Sequence, residues 1–452
     1  MTSQVTFICK RTVISTRPVQ PGKYHHPSVL DRLMEKNNLR IVYYYPSPNG
    51  GREEIPGEMT RKLRESMSEM LTCFPAVTGR LQKSDKGHWM VKCNDAGVRM
   101  VEARATGTVE EWLRNVDREK ELKLVYWEDM FHKPYFWSTF YVQLTEFEEG
   151  GLAIGLSCAH LLADPICATT LIKAWADTTL ARTMHTPPFF HPLPPRRLGN
   201  MNPNHKPYTA LINHYKSSIE TSSTPLITNA KHATITLAFT DPMVRACMAM
   251  ARTPGAPDPS PFEALAGLFW VCLSEVKGHK KGILDMSICL DMRKVLGLDR
   301  GYFGNCMIYN NVHADSLDDK NKLSGAARAI GEVVKKMDDN ERIMDLIEWL
   351  EHDDHNSLPF MNSGDLICVN LEDLNLYSAV FEEGLAPVQV SCYVEPVFGL
   401  GQVVVLPSPP CEGPMSRVVM VTLSDDIDAV KLCEDDLVSR FCPTIIMGIN
   451  NM

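Results

Sequence analysis

Several common signals are missing from this chain of 452 residues. Its fourteen cysteines include no Cys-x-x-Cys pair, which favours reduced, mostly buried thiols over a disulfide framework. No apolar run reaches the ~18 residues that a membrane span needs. The first residues also lack the apolar core of a secretory signal peptide. We therefore expect a cytoplasmic protein with no direct membrane span.

Positive charge and nucleotide-binding patterns are scarce as well. The formal net charge of -9 disfavours binding to nucleic acid or to an anionic membrane, since either needs a basic face. The glycines between 297 and 304 form no P-loop, and no G-x-S-x-G sequence gives the usual signal of a serine hydrolase. The His-Asp-Asp-His run at 352–355 looks like a metal-binding cluster, but four consecutive side chains cannot all face one ion. We interpret the run as an exposed helix end. No bound metal is expected.

Strand and helix patterns alternate through the first half of the chain. The run LRIVYYYP (39–46) is typical of a strand closed by proline, and residues 57–74 have helical spacing of apolar side chains. Thr108 and Glu111 form the pattern of a capping box. The segment 140–160 predicts a β-hairpin with Glu-Glu-Gly-Gly at its turn.

A proline-rich stretch separates this half from a second run of alternating patterns. Eight prolines fall between 186 and 232, as in a long surface connection. Beyond it we predict a strand, a helix with Asp241 as N-cap and a second helix starting near Ser260. The sequence thus predicts an α/β fold with mixed sheets. Its parts are an N-terminal domain of residues 1–185, a crossover linker of residues 186–232 and a C-terminal domain of residues 233–452.

A histidine and an aspartate stand where the apolar run from Leu152 gives way to a helix. A neutral imidazole such as that of His160 can take a proton from a hydroxyl or amine near pH 7. Asp164 follows at the spacing His-x-x-x-Asp. Two interpretations are open on these residues alone. One is a catalytic base with a supporting carboxylate; the other is a partly buried histidine and an N-cap aspartate ahead of Pro165.

Five stretches in a fixed order resemble the plant BAHD acyltransferase family along nearly the whole chain. They are FPAVTGRL (74–81), AHLLADP (159–165), PFEALAGLFW (261–270), LDMRKVLGLDRGYFGN (290–305) and VFGLG (397–401). Together they are far more specific than the His-x-x-x-Asp pattern.

The resemblance implies both a fold and a reaction. It implies two similar chloramphenicol-acetyltransferase-like domains with mixed sheets, joined by a long crossover and enclosing a central channel. It makes His160 the catalytic general base, and it makes Asp164 and Arg293 a structural pair that supports the site. The acyl group of acyl-CoA, a co-substrate, would move to a hydroxyl or amine of a small-molecule acceptor, with no bound cofactor.

Two departures from the family pattern leave a second function open. Pro165 follows Asp164 where the family usually has glycine. The family's Asp-Phe-Gly-Trp-Gly segment is degenerate here, as Val397, Phe398, Gly399, Leu400 and Gly401. With these changes the sequence resembles the divergent ECERIFERUM-like branch of the family. That resemblance implies a non-catalytic protein that acts as a partner of other enzymes. Such a protein would assist very-long-chain fatty acid elongation in wax synthesis, within an elongase complex at the endoplasmic reticulum surface.

Overall fold

The computed structural model describes residues 4–17, 22–48, 57–85, 87–128, 137–184, 186–196, 209–220, 232–278, 283–313, 322–352 and 366–448. Its strands are β1 Val5–Val13, β2 Tyr24–His25, β3 Asn38–Tyr45, β4 Arg80–Lys83, β5 Trp89–Lys92, β6 Val98–Ala105, β7 Trp137–Ser138, β8 Phe140–Glu146, β9 Leu152–Ala159, β10 Ala233–Phe239, β11 Met286–Asp291, β12 Met307–Val312, β13 Leu366–Asn370, β14 Gln389–Glu395, β15 Gly401–Pro407, β16 Arg417–Leu423 and β17 Thr444–Met447.

The α-helices alternate with these strands. They are α1 Val29–Leu33, α2 Glu58–Met70, α3 Val109–Arg114, α4 Arg118–Glu121, α5 Pro165–Thr179, α6 Thr209–Glu220, α7 Asp241–Ala251, α8 Pro261–Val276, α9 Lys322–Met337, α10 Asn340–His352, α11 Asp426–Cys433 and α12 Asp436–Ser439. None of the helices in the described part of the chain is long and apolar enough to cross a membrane.

The chain divides into two compact units. Unit 1 contains Met1–Pro192, Asp299–Asn305 and Asn375–Glu395. Its main sheet has the order β1-β6-β8-β9-β3-β14, in which β6 and β8 are parallel and the other pairs are antiparallel. A smaller sheet has the order β2-β5-β4-β7. Strand β14 therefore joins a sheet whose other strands all come from the first half of the chain.

Unit 2 contains Leu193–Leu298, Cys306–Leu374 and Pro396–Met452. Its sheet has the order β12-β11-β13-β15-β16-β10-β17. Strand β13 is parallel to both β11 and β15, and the remaining pairs are antiparallel. Both main sheets are mixed, which confirms the predicted α/β class.

Strand β9 lies inside the main sheet of unit 1, between β8 and β3. Every residue of β9 is buried, which explains why its sequence is a continuous apolar run without alternation. Gly155 is required in this strand, because a Cβ there would approach the carbonyl oxygen of Leu124 to 2.0 Å. The segment around Leu124 can therefore lie directly on the sheet.

Most of the local predictions are confirmed. The hairpin is the antiparallel pair β8 and β9, Thr108 and Glu111 form a capping box, and Ser260 caps α8. The N-cap prediction for Asp241 is wrong by one residue, because Thr240 is the N-cap and Asp241 starts α7. Residues 197–208 and 221–231 of the predicted linker lie outside the described residues, and the domain boundaries at 185 and 232 stay a prediction.

The cysteines match the expectation of buried thiols. None of the fourteen, all of which are described, forms a disulfide, and nine are buried. They contribute to the cores as small apolar side chains.

Candidate active site

His160 is the first residue after strand β9. Its backbone N–H donates a hydrogen bond to the carbonyl oxygen of Asn37, at 2.9 Å, directly after the last pair of the β9–β3 ladder, Ala159 and Asn38. A turn follows, in which the N–H of Leu162 donates to the carbonyl of Ala159 at 3.0 Å. The imidazole is buried. The histidine is thus fixed to the rigid end of a central strand.

Asp164 ends that turn and begins helix α5. Its Oδ1 accepts a hydrogen bond from the backbone N–H of Cys167 at 2.9 Å, and Pro165 occupies the first turn of the helix. The N-cap role is therefore confirmed, and proline suits this position because its ring fixes a helical φ and needs no N–H partner. The Asp164 side chain is completely buried.

The loop of residues 301–305 lies against this turn within unit 1. The Sγ of Cys167 accepts a hydrogen bond from the N–H of Gly304 at 3.2 Å. Asn305 donates from Nδ2 to the backbone carbonyl of His160 at 2.7 Å. On the other side of the loop, a Cβ at Gly301 would approach the carbonyl oxygen of Pro187 to 2.1 Å, so glycine permits this close contact.

Asp31 holds Asn305 in place. Its Oδ1 accepts from both the backbone N–H and the Nδ2 of Asn305, at 2.7 and 2.8 Å. Asp31 is itself part of the capping box of α1: its Oδ2 accepts from the N–H of Ser28 at 2.6 Å, and its own N–H donates to the Ser28 hydroxyl at 3.1 Å. Asp31 and Asn305 are both buried. A chain of hydrogen bonds, buried between Asp31 and His160, therefore runs from the start of α1 to the backbone of His160.

Burial dominates the electrostatics of His160. It lowers the pKa of the imidazole, and the negative charge of Asp164 is the largest opposing influence. Interactions of the ring with its own backbone and with the Asn305 side chain, and the charge of Asp31, also favour the protonated form. The net lowering of the pKa leaves His160 neutral near pH 7, which is the state in which it can accept a proton.

Cys158 does not offer an alternative nucleophile. Its thiol is completely buried. Burial, followed by the influence of Cys392 and Asp164, raises the pKa of this thiol far above its usual range. The thiolate is the reactive form of cysteine, so Cys158 stays inert near neutral pH. It packs in the sheet as a small apolar residue.

Arg293 belongs to unit 2 and is buried there. Its Nη1 donates to Oδ1 of Asp291 at 2.8 Å, and its backbone N–H donates to the same oxygen at 3.2 Å. Asp164 lies in unit 1. The pairing of Asp164 with Arg293 stays a prediction.

The degenerate segment 397–401 leads into strand β15 of unit 2. Val397 and Phe398 are buried, and Gly399 has a φ of 68°, a conformation that favours glycine. Gly401 starts β15, where a Cβ would approach a methyl carbon of Leu423 to 2.6 Å. Of the positions that differ from the family pattern, Val397 precedes the turn and Leu400 lies within it, between two glycines that are both present.

Metal ligands are not grouped in the described residues. No set of three or more His, Cys, Asp or Glu side chains there could hold a metal ion. Of the His-Asp-Asp-His run, only His352 is described; it is exposed at the end of α10. Residues 353–355 lie outside the described residues.

The sequence analysis did not identify Asn305 and Asp31 as residues of this site. Asn305 ends the GYFGN stretch, which contributed to the family resemblance only as a motif. Ser28 and Asp31 have the spacing of a capping box, which predicts a helix start but gives no sign that Asp31 also binds Asn305.

Comparison with family models identifies the chain. The model described as Transferase family matches residues 3–430. Because the match spans most of the chain, the protein belongs to this family, the BAHD acyltransferases that the sequence motifs indicated.

Similar proteins cover most of the chain. It is 29% identical to Protein ECERIFERUM 26 of Arabidopsis thaliana over 426 residues, which are 93% of each protein. It is 25% identical to a hydroxycinnamoyltransferase of Narcissus pseudonarcissus over 350 residues, 74% of this chain and 78% of that protein. The crystal structure of F. sporotrichioides TRI101, complexed with coenzyme A and T-2, has a TM-score of 0.73 at 16% identity, covering 94% of this chain and 100% of that one. This last similarity supports the predicted fold.

Proposed function

We propose that the protein transfers an acyl group from acyl-CoA to a hydroxyl or amine of a small-molecule acceptor, with His160 as the general base. The observation that carries this proposal is the buried imidazole of His160, anchored at the end of β9 and neutral near pH 7 because burial lowers its pKa. Membership of the Transferase family supports acyl transfer as the reaction. The coenzyme A in the TRI101 complex supports a CoA thioester as the donor.

The proposed reaction needs no covalent enzyme intermediate. The acceptor's oxygen or nitrogen attacks the thioester carbonyl carbon while a ring nitrogen of His160 takes its proton. The tetrahedral intermediate then collapses and its C–S bond breaks. The imidazolium returns the proton to the leaving thiolate, so the products are an ester or amide and free CoA. The inert thiol of Cys158 is consistent with such direct transfer.

Removal of the imidazole tests this mechanism. Free CoA would be measured with a panel of acyl-CoA donors against mixed alcohols and amines. We expect His160→Ala to lower transfer by about 10²–10⁴, the usual contribution of a positioned general base. His88→Ala is the matched control, because His88 is exposed and should leave the rate unchanged. A His160→Ala variant with the wild-type rate would contradict the proposal.

A second candidate function is a non-catalytic partner in very-long-chain fatty acid elongation. The similarity to Protein ECERIFERUM 26 over 93% of both chains favours it, and so do Val397 and Leu400 in the degenerate segment. Complementation of a wax-deficient plant separates the two functions. The enzyme requires the imidazole of His160, whereas the partner does not. Full rescue of wax chain lengths by His160→Ala would therefore favour the partner.

A further inference from the structure

Two buried polar atoms beside the candidate base lack a hydrogen-bond partner of normal geometry among the described residues. They are Nδ1 of His160 and Oδ1 of Asn305. An orphaned buried polar atom is costly, so two of them in neighbouring side chains call for a physical reason. The Asn305 side chain interacts with the His160 ring in a way that favours its protonated form.

The orientation of the Asn305 amide follows from its other bonds. An amide nitrogen carries two hydrogens, and those of Asn305 are directed to Oδ1 of Asp31 at 2.8 Å and to the carbonyl of His160 at 2.7 Å. The reverse orientation would place Oδ1 against a carboxylate and a carbonyl, which are both acceptors. Oδ1 is therefore the atom of Asn305 that remains to accept a hydrogen from the imidazole.

We propose that Asn305, oriented by Asp31, fixes the tautomer of neutral His160, with the hydrogen on Nδ1 and the basic lone pair on Nε2. The backbone of His160 also interacts with the ring in a way that favours its protonated form. An acceptor at Nδ1 favours a hydrogen on that nitrogen, so Nε2 is the nitrogen left to take a proton. Asn305 is thus a positioning residue that acts through His160, and its catalytic effect rests on the proposed acyl transfer.

Hydrogen bonds also fix the backbone that carries the ring. The backbone of His160 is held from two sides, by the Asn37 carbonyl at its N–H and by Nδ2 of Asn305 at its carbonyl. Oδ1 of Asp31 accepts from the backbone N–H of Asn305 and from its Nδ2, and the second of these bonds resists rotation of the amide. Loss of Asn305 should therefore change the tautomer of His160 and not only the stability of unit 1.

The tautomer can be measured without any substrate. Protein labelled with ¹⁵N at histidine would be examined by long-range ¹H–¹⁵N spectra at pH 8, and the signals of His160 would be assigned by their absence in His160→Gln. We expect the Nδ1–H tautomer in the wild-type protein and a mixture of both tautomers in Asn305→Ala. Asn310→Ala, a change at a buried asparagine of β12 in unit 2, is the control and should leave the His160 signals unchanged.

Kinetics separate positioning from mere structural support. We expect Asn305→Ala to lower kcat by roughly 10–100-fold, the usual effect of losing the partner that orients a functional histidine, with KM nearly unchanged. Its acid limb in the pH–rate profile should move to lower pH. Asn305→Asp replaces the donor Nδ2 with an oxygen that faces Oδ1 of Asp31 and the carbonyl of His160, which are both acceptors, so this variant should also lose the oriented network and lower kcat.

Three results would overturn the inference: a predominant Nε2–H tautomer in the wild-type protein, unchanged His160 signals in Asn305→Ala, or an unchanged kcat in that variant despite a changed tautomer. If the Asn305 variants fail to fold, the tautomer of His160 in the wild-type protein still tests the inference, because a predominant Nε2–H form contradicts it. Retained transfer in His160→Ala would instead contradict the proposed function, and the spectra would remain an independent test of the tautomer.

Discussion

The carboxylate of Asp164 accepts a hydrogen bond from the backbone N–H of Cys167, at 2.9 Å. This bond makes Asp164 the N-cap of α5. The aspartate therefore has a structural role that does not depend on its negative charge. Asparagine caps helices about as well as aspartate. An Asp164→Asn substitution therefore keeps the cap and removes the charge, which separates two roles that alanine would remove together.

We expect Asp164→Asn to destabilise the protein more than it changes the chemical step, provided that Asp164 pairs with Arg293. Removing one partner of a buried ion pair costs about 3–5 kcal/mol, since the other charge is left uncompensated. Asp164→Ala should cost about 1 kcal/mol more through loss of the cap. Urea unfolding of Asp164→Asn, Arg293→Gln and the double variant measures the coupling, and a coupling energy of zero would exclude the pairing.

The pH dependence of the reaction should reflect His160. Burial lowers the pKa of His160 against the opposing charges of Asp164 and Asp31, so the acid limb of kcat/KM should have an apparent pKa below ~6.5, the ordinary value for histidine. Activity is lost as the pH falls through this lowered pKa, because the protonated ring cannot act as a base. The stability contribution has the same sign. The unfolded chain binds the proton first, so stability falls as the pH drops below ~6.5.

Rate profiles between pH 4.5 and 9 would measure this limb, in parallel with circular dichroism to exclude acid unfolding. His88→Ala should have the wild-type profile. An acid limb at or above the ordinary histidine pKa, in a protein that remains folded, would contradict the assignment of His160.

A buried carboxylate links β14 by hydrogen bonds to other elements of unit 1. Glu121 accepts hydrogen bonds from the hydroxyls of Tyr44 and Ser391, each at 2.9 Å, and from that of Tyr393. Glu121→Ala should lower the free energy of unfolding by about 3 kcal/mol or more, because each buried hydroxyl left unpaired costs about 1–3 kcal/mol. Glu119→Ala is a matched control on the exposed side of α4 and should change it by less than ~0.5 kcal/mol. Equal losses in urea unfolding would show that the cluster does not stabilise the unit.

Local structure was predictable from the sequence where a short pattern determines it. The continuous apolar run of β9, the turn of the β8–β9 hairpin and the cap of α8 at Ser260 all depend on neighbouring residues. Asp241 was misassigned because both Thr240 and Asp241 are good N-caps, and only the end of β10 at Phe239 decides between them.

The environment of His160 was not predictable in the same way. The hydrogen bond between Asn305 and the His160 carbonyl joins residues 145 positions apart, and a contact at that separation leaves no periodic pattern in a single sequence. The motif could therefore identify the histidine and the aspartate but not the network that orients the histidine. The pairing of Gln389 with Tyr44 in the β14–β3 ladder was hidden for the same reason.

Strand β14 also constrains the order in which the protein can fold during synthesis. Strands β1, β6, β8, β9 and β3 are complete once Ala159 has been made, but β14 follows about 230 residues later. At roughly 5–20 residues per second, the ribosome needs about 10–50 s to reach it. Until then the apolar edge of β3 has no neighbour in its sheet and can pair with other chains. A nascent chain of this protein should therefore depend on chaperones for a long interval, and deletion of residues 389–395 should increase the aggregated fraction of the product.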